Sequence, residues 1–307
     1  MNEVRVSVIM PVHNYGAYIG DALRSVAAQT LRDLECIVVD DASTDNTAAV
    51  VDDLVQRDPR FRLIRLERNQ GVAAARNRAL AEARGRYIQF LDADDLLPPH
   101  KLEIHAAHLD AHPEEAVVYS DHYRFIHAGT PLPHSGLAPN EQLTGRGRAV
   151  VARLLRSNVF RMNAVLVRRE AVQAIGPFHP EFRYIEDWDL WLRMAASGRG
   201  FHYLDDVRCT VGVRDTPGSL SKDTPAMRTF YLPVLQRLWV HGGLGLLNTL
   251  SLLGRYALTL LDRVVLRKGP VVVLPEGRWT FLPIALLATL VMLPVWPLYK
   301  LYRFMRS

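Results

Sequence analysis

LECIVVDD, residues 34–41, is an apolar run of strand length that ends in two carboxylates. A strand that is apolar at successive positions has no face to offer water. It has to be covered on both sides, as happens in parallel sheets sandwiched between helices. The same pattern recurs on either side of it: VRVSVIMPV (Val4–Val12) before, FRLIRL (Phe61–Leu66) and YIQFLDADD (residues 87–95) after. Helical patterns fill the intervals. One runs from Ala17 to about Ala28, behind Asn14 and Gly16. A second runs from Thr47 to about Gln56, behind the cap candidates Ser43 and Asp45. A third, rich in alanine, runs from Gly71 through Ala83. This alternation predicts an α/β fold built on a doubly wound, mostly parallel sheet, with any ligand beyond the carboxyl ends of the strands.

The second half is more mixed. VVYSDHYRF (Val117–Phe125) reads as one further strand, followed by a Gly/Pro-containing loop from about Ile126 to Gly147. NAVLVRREAVQAIG reads as a strand, a short helix and a glycine stop at Gly176. IEDWDLWLRMAASG (Ile185–Gly198) is an amphipathic helix with Glu186 and Asp187 in its first turn, and FHYLDDVRCTVGVR returns as extended chain. The pattern predicts one α/β domain over residues 1–225, with residues 1–125 as its ligand-binding half and 126–225 completing it.

At 307 residues, 49% hydrophobic and with a mean hydropathy of zero, the chain has the composition of a globular protein and excludes a polytopic membrane protein. Cys36 and Cys209 have no metal-ligand partner nearby in sequence, and plain buried thiols in a reducing compartment are expected. MNEVRVSVIMPV lacks the basic start and cleavage site of a secretory signal, so the body is expected in the cytosol. The net charge of +5 is unevenly spread: from Gln236 onward stand nine Lys/Arg against two Asp/Glu, which leaves the rest slightly acidic. That split argues against a nucleic-acid partner and for a basic, apolar tail (residues 235–307) moored to an anionic membrane surface. WTFLPIALLATLVMLPVWPLY (Trp279–Tyr299) is uncharged for long enough to span a membrane, which takes roughly 20 residues. Pro283, Pro294 and Pro297 interrupt it, however, and a single span would put Lys300, Arg303 and Arg306 on the wrong side for a cytosolic body. Re-entrant or interfacial helices remove that conflict.

Two acidic clusters, Asp40-Asp41 and Asp92-Ala93-Asp94-Asp95, fall at the ends of strands that would lie parallel. Both clusters then share one edge of the sheet, where uncompensated carboxylates repel one another. A hard divalent cation, Mg²⁺ or Mn²⁺, is the natural counter-charge and also bridges phosphates. His100, His105, His108 and His112 on the helix after the second cluster read as a solvated face, and Trp188 and Trp191 as core.

The stretches SVIMPVHNYGAYIGDALRSVAAQTL, DLECIVVDDASTDNT, NQGVAAARNRAL and GRYIQFLDADDLLPP, in this order and spacing, resemble family 2 glycosyltransferases of the GT-A fold, with IEDWDLWLRMA resembling the family's downstream acidic motif. The likeness covers roughly residues 5 to 222. It implies a Rossmann-like half that binds a nucleotide-diphosphate sugar, with Pro11, Val12 and Asn14 lining the nucleotide pocket. Asp41 would accept from the base, and Arg76 would lie near the nucleotide. Asp92, Ala93 and Asp94 match the family's Asp-x-Asp motif, Asp94 being the direct metal ligand and Asp92 facing the ribose or the metal. Asp187 matches the catalytic base, and Arg214, Ser219 and Ser221 match a late segment near the diphosphate, in which Thr216 replaces a common histidine. The resemblance implies an inverting transfer, and the basic, apolar tail points to a saccharide or lipid-linked acceptor in cell-envelope polysaccharide synthesis. A polyprenyl-phosphate acceptor and a non-catalytic, membrane-tethered nucleotide-sugar binder are the alternatives.

Overall fold

The computed structural model describes residues 3–127 and 142–216 and, farther on, helical positions 227, 230, 231, 233–235, 237 and 238. The first half follows the pattern: β1 (Val6–Val12), α1 (Ile19–Ala27), β2 (Leu34–Asp40), α2 (Thr47–Arg57), β3 (Phe61–Arg65), α3 (Val72–Glu82), β4 (Tyr87–Phe90) and α4 (Lys101–Ala111). Then come β5 (Glu115–Tyr119), β6 (His122–Phe125), β7 (Gly145–Arg146), α5 (Arg148–Arg156), β8 (Val165–Arg168), α6 (Arg169–Ile175), α7 (Glu186–Ala196), β9 (Gly200–Tyr203) and β10 (Val211–Arg214).

Eight strands form one sheet in the order β3-β2-β1-β4-β8-β5-β9-β7, with β8 and β7 antiparallel to their neighbours and the other pairings parallel. Every residue of β1 and β2 is buried, and the pleat divides them. Ile9, Ile37 and Val39 join α3, α5 and α7 in one core, while Val8, Met10 and Val38 join α1, α2 and α4 in another. Cys36 and Cys209 are buried free thiols.

Three expectations are corrected. VVYSDHYRF is two strands: β5 belongs to the large sheet, and β6 leaves it to pair in parallel with β10 in a second, two-stranded sheet. The chain turns at Ser120-Asp121, where Ser120 Oγ donates to the Cys209 carbonyl at 2.6 Å and Asp121 Oδ1 accepts from the His122 amide at 2.7 Å. The histidines of α4 are not a solvated face, because His105 is fully buried and His108 packs against β5 and β9. Finally, Val234, Leu235 and Leu238 are buried in the core that contains α7, and Tyr231 packs edge-on against Trp188 at 5.5 Å. The packed domain therefore continues beyond residue 235. Among the described residues no helix is long and apolar enough to cross a membrane. Ser219, Ser221 and the chain from 239 onward, including Trp279–Tyr299, lie outside the described residues.

Lys101 is fully buried with its ammonium donating to Gln89 Oε1, and burial brings its pKa down to about 7. Between about pH 7 and 10 the unfolded chain holds a proton there that the folded chain has released, so this group's contribution to stability improves as pH rises through that window. Lys101→Met should therefore gain stability over the parent mostly at low pH. Its advantage in urea unfolding should shrink by about 4 kcal/mol between pH 6 and pH 10. A difference independent of pH would contradict the buried amine.

Candidate active site

The carboxyl ends of β1, β2 and β4 meet at one edge. Val12 pairs with Asp40 and Ile9 with Phe90, so the loops that follow all emerge together. Two of them are stitched to each other. Asn14 takes a left-handed conformation (φ 57°), which asparagine tolerates. Its side-chain oxygen accepts from the Thr44 amide at 2.8 Å and its own amide donates to Ser43 Oγ at 2.9 Å. The Gly16 amide donates to Asp45 Oδ2 at 3.0 Å, and a methyl group on Gly16 would stand 2.0 Å from the Asn46 side chain. Pro11, Val12 and Ala93 are buried, whereas Asn14 is exposed at the rim.

Asp41 is only 3% exposed, and its two oxygens accept from the amides of Gln70 and Gly71, each at 2.7 Å. The resemblance assigns this side chain to the base of a nucleotide. Its two observed partners hold the turn that starts α3, where Gly71 has a φ of 87°.

The second acidic cluster is exposed at one end and buried at the other. Arg76, on α3 and 3% exposed, donates to Asp92 Oδ1 at 2.7 Å and to Glu186 at the start of α7. One guanidinium thereby joins the loop after β4 to the helix that carries Asp187. Asp94 Oδ2 accepts from Thr216 Oγ1 at 2.6 Å, and Asp95 Oδ1 accepts from the Arg214 amide at 2.9 Å. Leu96 and Gly212 exchange backbone hydrogen bonds at 2.9 Å, so β10 is laced directly to the Asp loop. The Arg214 side chain is spent inside the protein, on the carbonyls of Asp94 and Ile126 and on Asp21, with its plane over the Phe125 ring. It braces the loop and is not a free cation for a diphosphate.

Ile185 precedes α7 with a φ of 53°, a costly conformation for a β-branched residue and of the kind that clusters at functional sites. The two carboxylates that follow part company. Glu186 is buried on Arg76. Asp187 stays partly accessible, accepting from Asn158 Nδ2 at 2.8 Å and from the Trp188 amide at 2.7 Å. Burial raises the pKa of Asp187, and it pushes Glu186 up to about 7 against the pull of Arg76.

The structure thus brings Arg76, Asp92, Asp94 and Asp187 together, with Asn14 at the rim. Asn158, Tyr15 and the hydrogen bond from Thr216 to Asp94 are not among the residues and contacts expected from the sequence. Of these only Thr216 has a signal in the sequence, as the substitute for the common histidine. The Tyr15 phenol is the clearest probe of the local field: burial, and after it the charges of Asp94, Asp92 and Asp95, push its pKa up to about 12. Burial likewise raises Asp94, and Asp95 rises well above the carboxylate range. That excess of negative charge fits a divalent cation at Asp94 and Asp92. Among the described residues no third His, Cys, Asp or Glu comes close enough to complete a ligand set there.

Residues 7–176 match the sequence profile described as Glycosyl transferase family 2. A relative from Bacillus subtilis, described as a putative teichuronic acid biosynthesis glycosyltransferase TuaG, is 31% identical over 229 residues, 74% of this chain and 86% of its own. The chain spans 66% of the length of one other curated relative and 24% of another. Among solved structures, S. aureus TarS 1-349 in complex with UDP-GlcNAc superposes with a TM-score of 0.68 at 19% identity, covering 92% of this chain and 79% of that fragment. The mannosyltransferase PcManGT from Pyrobaculum calidifontis, in complex with GDP-Man and Mn2+, superposes with a TM-score of 0.57 at 21% identity, covering 99% and 84%. At these identities the likeness speaks for the fold.

Proposed function

The chain belongs to glycosyltransferase family 2, and from that premise we propose that it moves a sugar, with inversion, from a nucleotide-diphosphate donor to a saccharide or lipid-linked acceptor in cell-envelope polysaccharide synthesis. The observation that carries this reading is the Asp92–Arg76–Glu186 bridge, which couples the acidic loop after β4 to the helix bearing a partly accessible carboxylate. Relatives of the TuaG kind and the nucleotide-sugar complexes of the structural neighbours support the donor class and the envelope setting.

In this reading Asp94 and Asp92 hold the cation, Mg²⁺ or Mn²⁺, which when bound stabilises the charge developing on the leaving diphosphate. Thr216 holds Asp94 in position through its hydroxyl. Arg76 keeps Asp92 and Glu186 in register and offsets part of their charge. Asp187 takes the proton of the acceptor hydroxyl as that oxygen bonds to the anomeric carbon and the bond to the diphosphate breaks. A carboxylate whose pKa is raised by burial is a better base for this purpose than a solvated one. Pro11, Val12 and Asn14 form the wall of the nucleotide pocket, with Asp41 and Arg214 acting behind it. A thermal-shift screen of nucleoside diphosphates and nucleotide sugars, with and without Mn²⁺, tests the donor class. Stabilisation by at least one of them only with the metal is expected, and no response to any contradicts the reading.

The catalytic body is proposed to end near residue 240, after the buried Leu238, and to be held at the cytoplasmic face of a membrane by the basic, apolar remainder. A chain cut after Val240 should keep donor hydrolysis and stop floating with anionic liposomes. Flotation of the shortened chain would refute the tail assignment.

A further inference from the structure

A second cluster lies near the opposite edge of the sheet from the Asp loop. His108 on α4, Glu115 at the start of β5 and His202 on β9 converge on one point, each offering a ligand atom within 4.8 Å of the others. Glu115 reaches both imidazoles, Oε2 lying 2.6 Å from His108 Nε2 and Oε1 lying 3.1 Å from His202 Nδ1. In a helix–strand–strand sandwich nothing about packing requires three such groups to meet.

The local backbone arranges the meeting. The β5–β9 pairing slips between Glu115 and Val117. Ala116 and Val117 consequently both face the core that contains α7, while Val118 faces the core that contains α4. The slip turns Glu115 to the α4 side. His202, opposite Val118, stands on that side too. His112, one turn beyond His108, stacks on its ring at 4.2 Å and shares its Nδ1 proton with the His108 carbonyl at 2.8 Å. That contact leaves the His108 ring backed by a flat aromatic surface. The three side chains are 10%, 14% and 28% exposed, His202 being the most open.

We infer that His108, Glu115 and His202 bind a borderline-soft transition-metal ion, Zn²⁺ foremost, which locks α4 to β5 and β9. Two imidazole nitrogens and one carboxylate oxygen are a ligand set that suits zinc and disfavours Mg²⁺. Ligand atoms around a tetrahedral zinc stand roughly 3.3 Å apart, so the observed spacing admits the ion after small side-chain movements. His202 is the most open of the three, so water could supply the remaining ligand from that side. The site shares no residue with the Asp92–Asp95 loop, and it stands whether or not the chain transfers sugar.

The test uses the full chain stripped with a chelator and returned to metal-free buffer. Zn²⁺ at about 100 times its Kd should raise Tm by about 5–10 °C, with Mg²⁺ producing no such rise. Co²⁺, as a spectroscopic stand-in, should bind one per chain with the intense visible absorption of a four-coordinate ion. The absorption should persist in Asp94→Asn and vanish in His202→Ala and in His108→Gln. A weak, six-coordinate cobalt spectrum in the parent chain overturns the proposal without recourse to any variant. So does an unchanged spectrum in folded His202→Ala.

Discussion

Replacing Asp94 by asparagine is expected to lower turnover by about 10³-fold and to abolish the effect of Mn²⁺ on nucleotide affinity. The substitution is nearly isosteric, and the amide oxygen can still accept from Thr216 Oγ1, so the loop laced to β10 should hold its shape. What disappears is a negative charge at a point where burial and Asp92 already work against it. A bound cation would favour the ionised form there against both of these effects. Steady-state turnover of the donor and a nucleotide titration with and without metal are the measurements. Metal-dependent affinity that survives the substitution would remove Asp94 from the site.

The second large effect concerns Asp187. Asp187→Asn should cost about 10²- to 10⁴-fold in kcat while leaving nucleotide affinity unchanged, because the carboxylate acts on the acceptor and not on the donor. The pH profile carries a separate signature. Burial raises the Asp187 pKa, and the base works only when ionised. Turnover of the parent should therefore fall as pH drops through that raised value, and the asparagine variant should lack this limb. A variant that retains most of its turnover would mean an acceptor that is already anionic, such as a polyprenyl phosphate, which needs little help from a base.

Much of this is legible in the sequence. The runs of β1, β2 and β4 are apolar on both faces, so they had to lie in a covered parallel sheet, and parallel strands bring Asp41 and Asp92 to one edge whatever the side-chain details. What escaped is set by contacts distant in sequence. No local pattern distinguishes one strand from two in VVYSDHYRF, since the break at Ser120 depends on the Cys209 carbonyl almost ninety positions away. The polarity of His105 and His108 suggests a wet helix face, and tertiary packing overrides it. Arg214 and Asp41 have the right residue types for ligand contact, yet their hydrogen bonds run to Asp21 and to the Gln70 and Gly71 amides. A motif specifies the residue and its region of the fold. Only the partners reveal whether it touches a ligand or holds a neighbour that does.

The account rests on one physical claim, that aspartates from one edge of the sheet hold a cation whose ligand shell is completed by a diphosphate. Water-proton relaxation of Mn²⁺ titrated with the protein, in the presence and absence of nucleoside diphosphate, tests it most directly. The account predicts one tightly held Mn²⁺ per chain when the nucleotide is present, weak uptake when it is absent, and loss of the tight ion in Asp94→Asn. Equal uptake with and without nucleotide, or tight uptake by the asparagine variant, would contradict it.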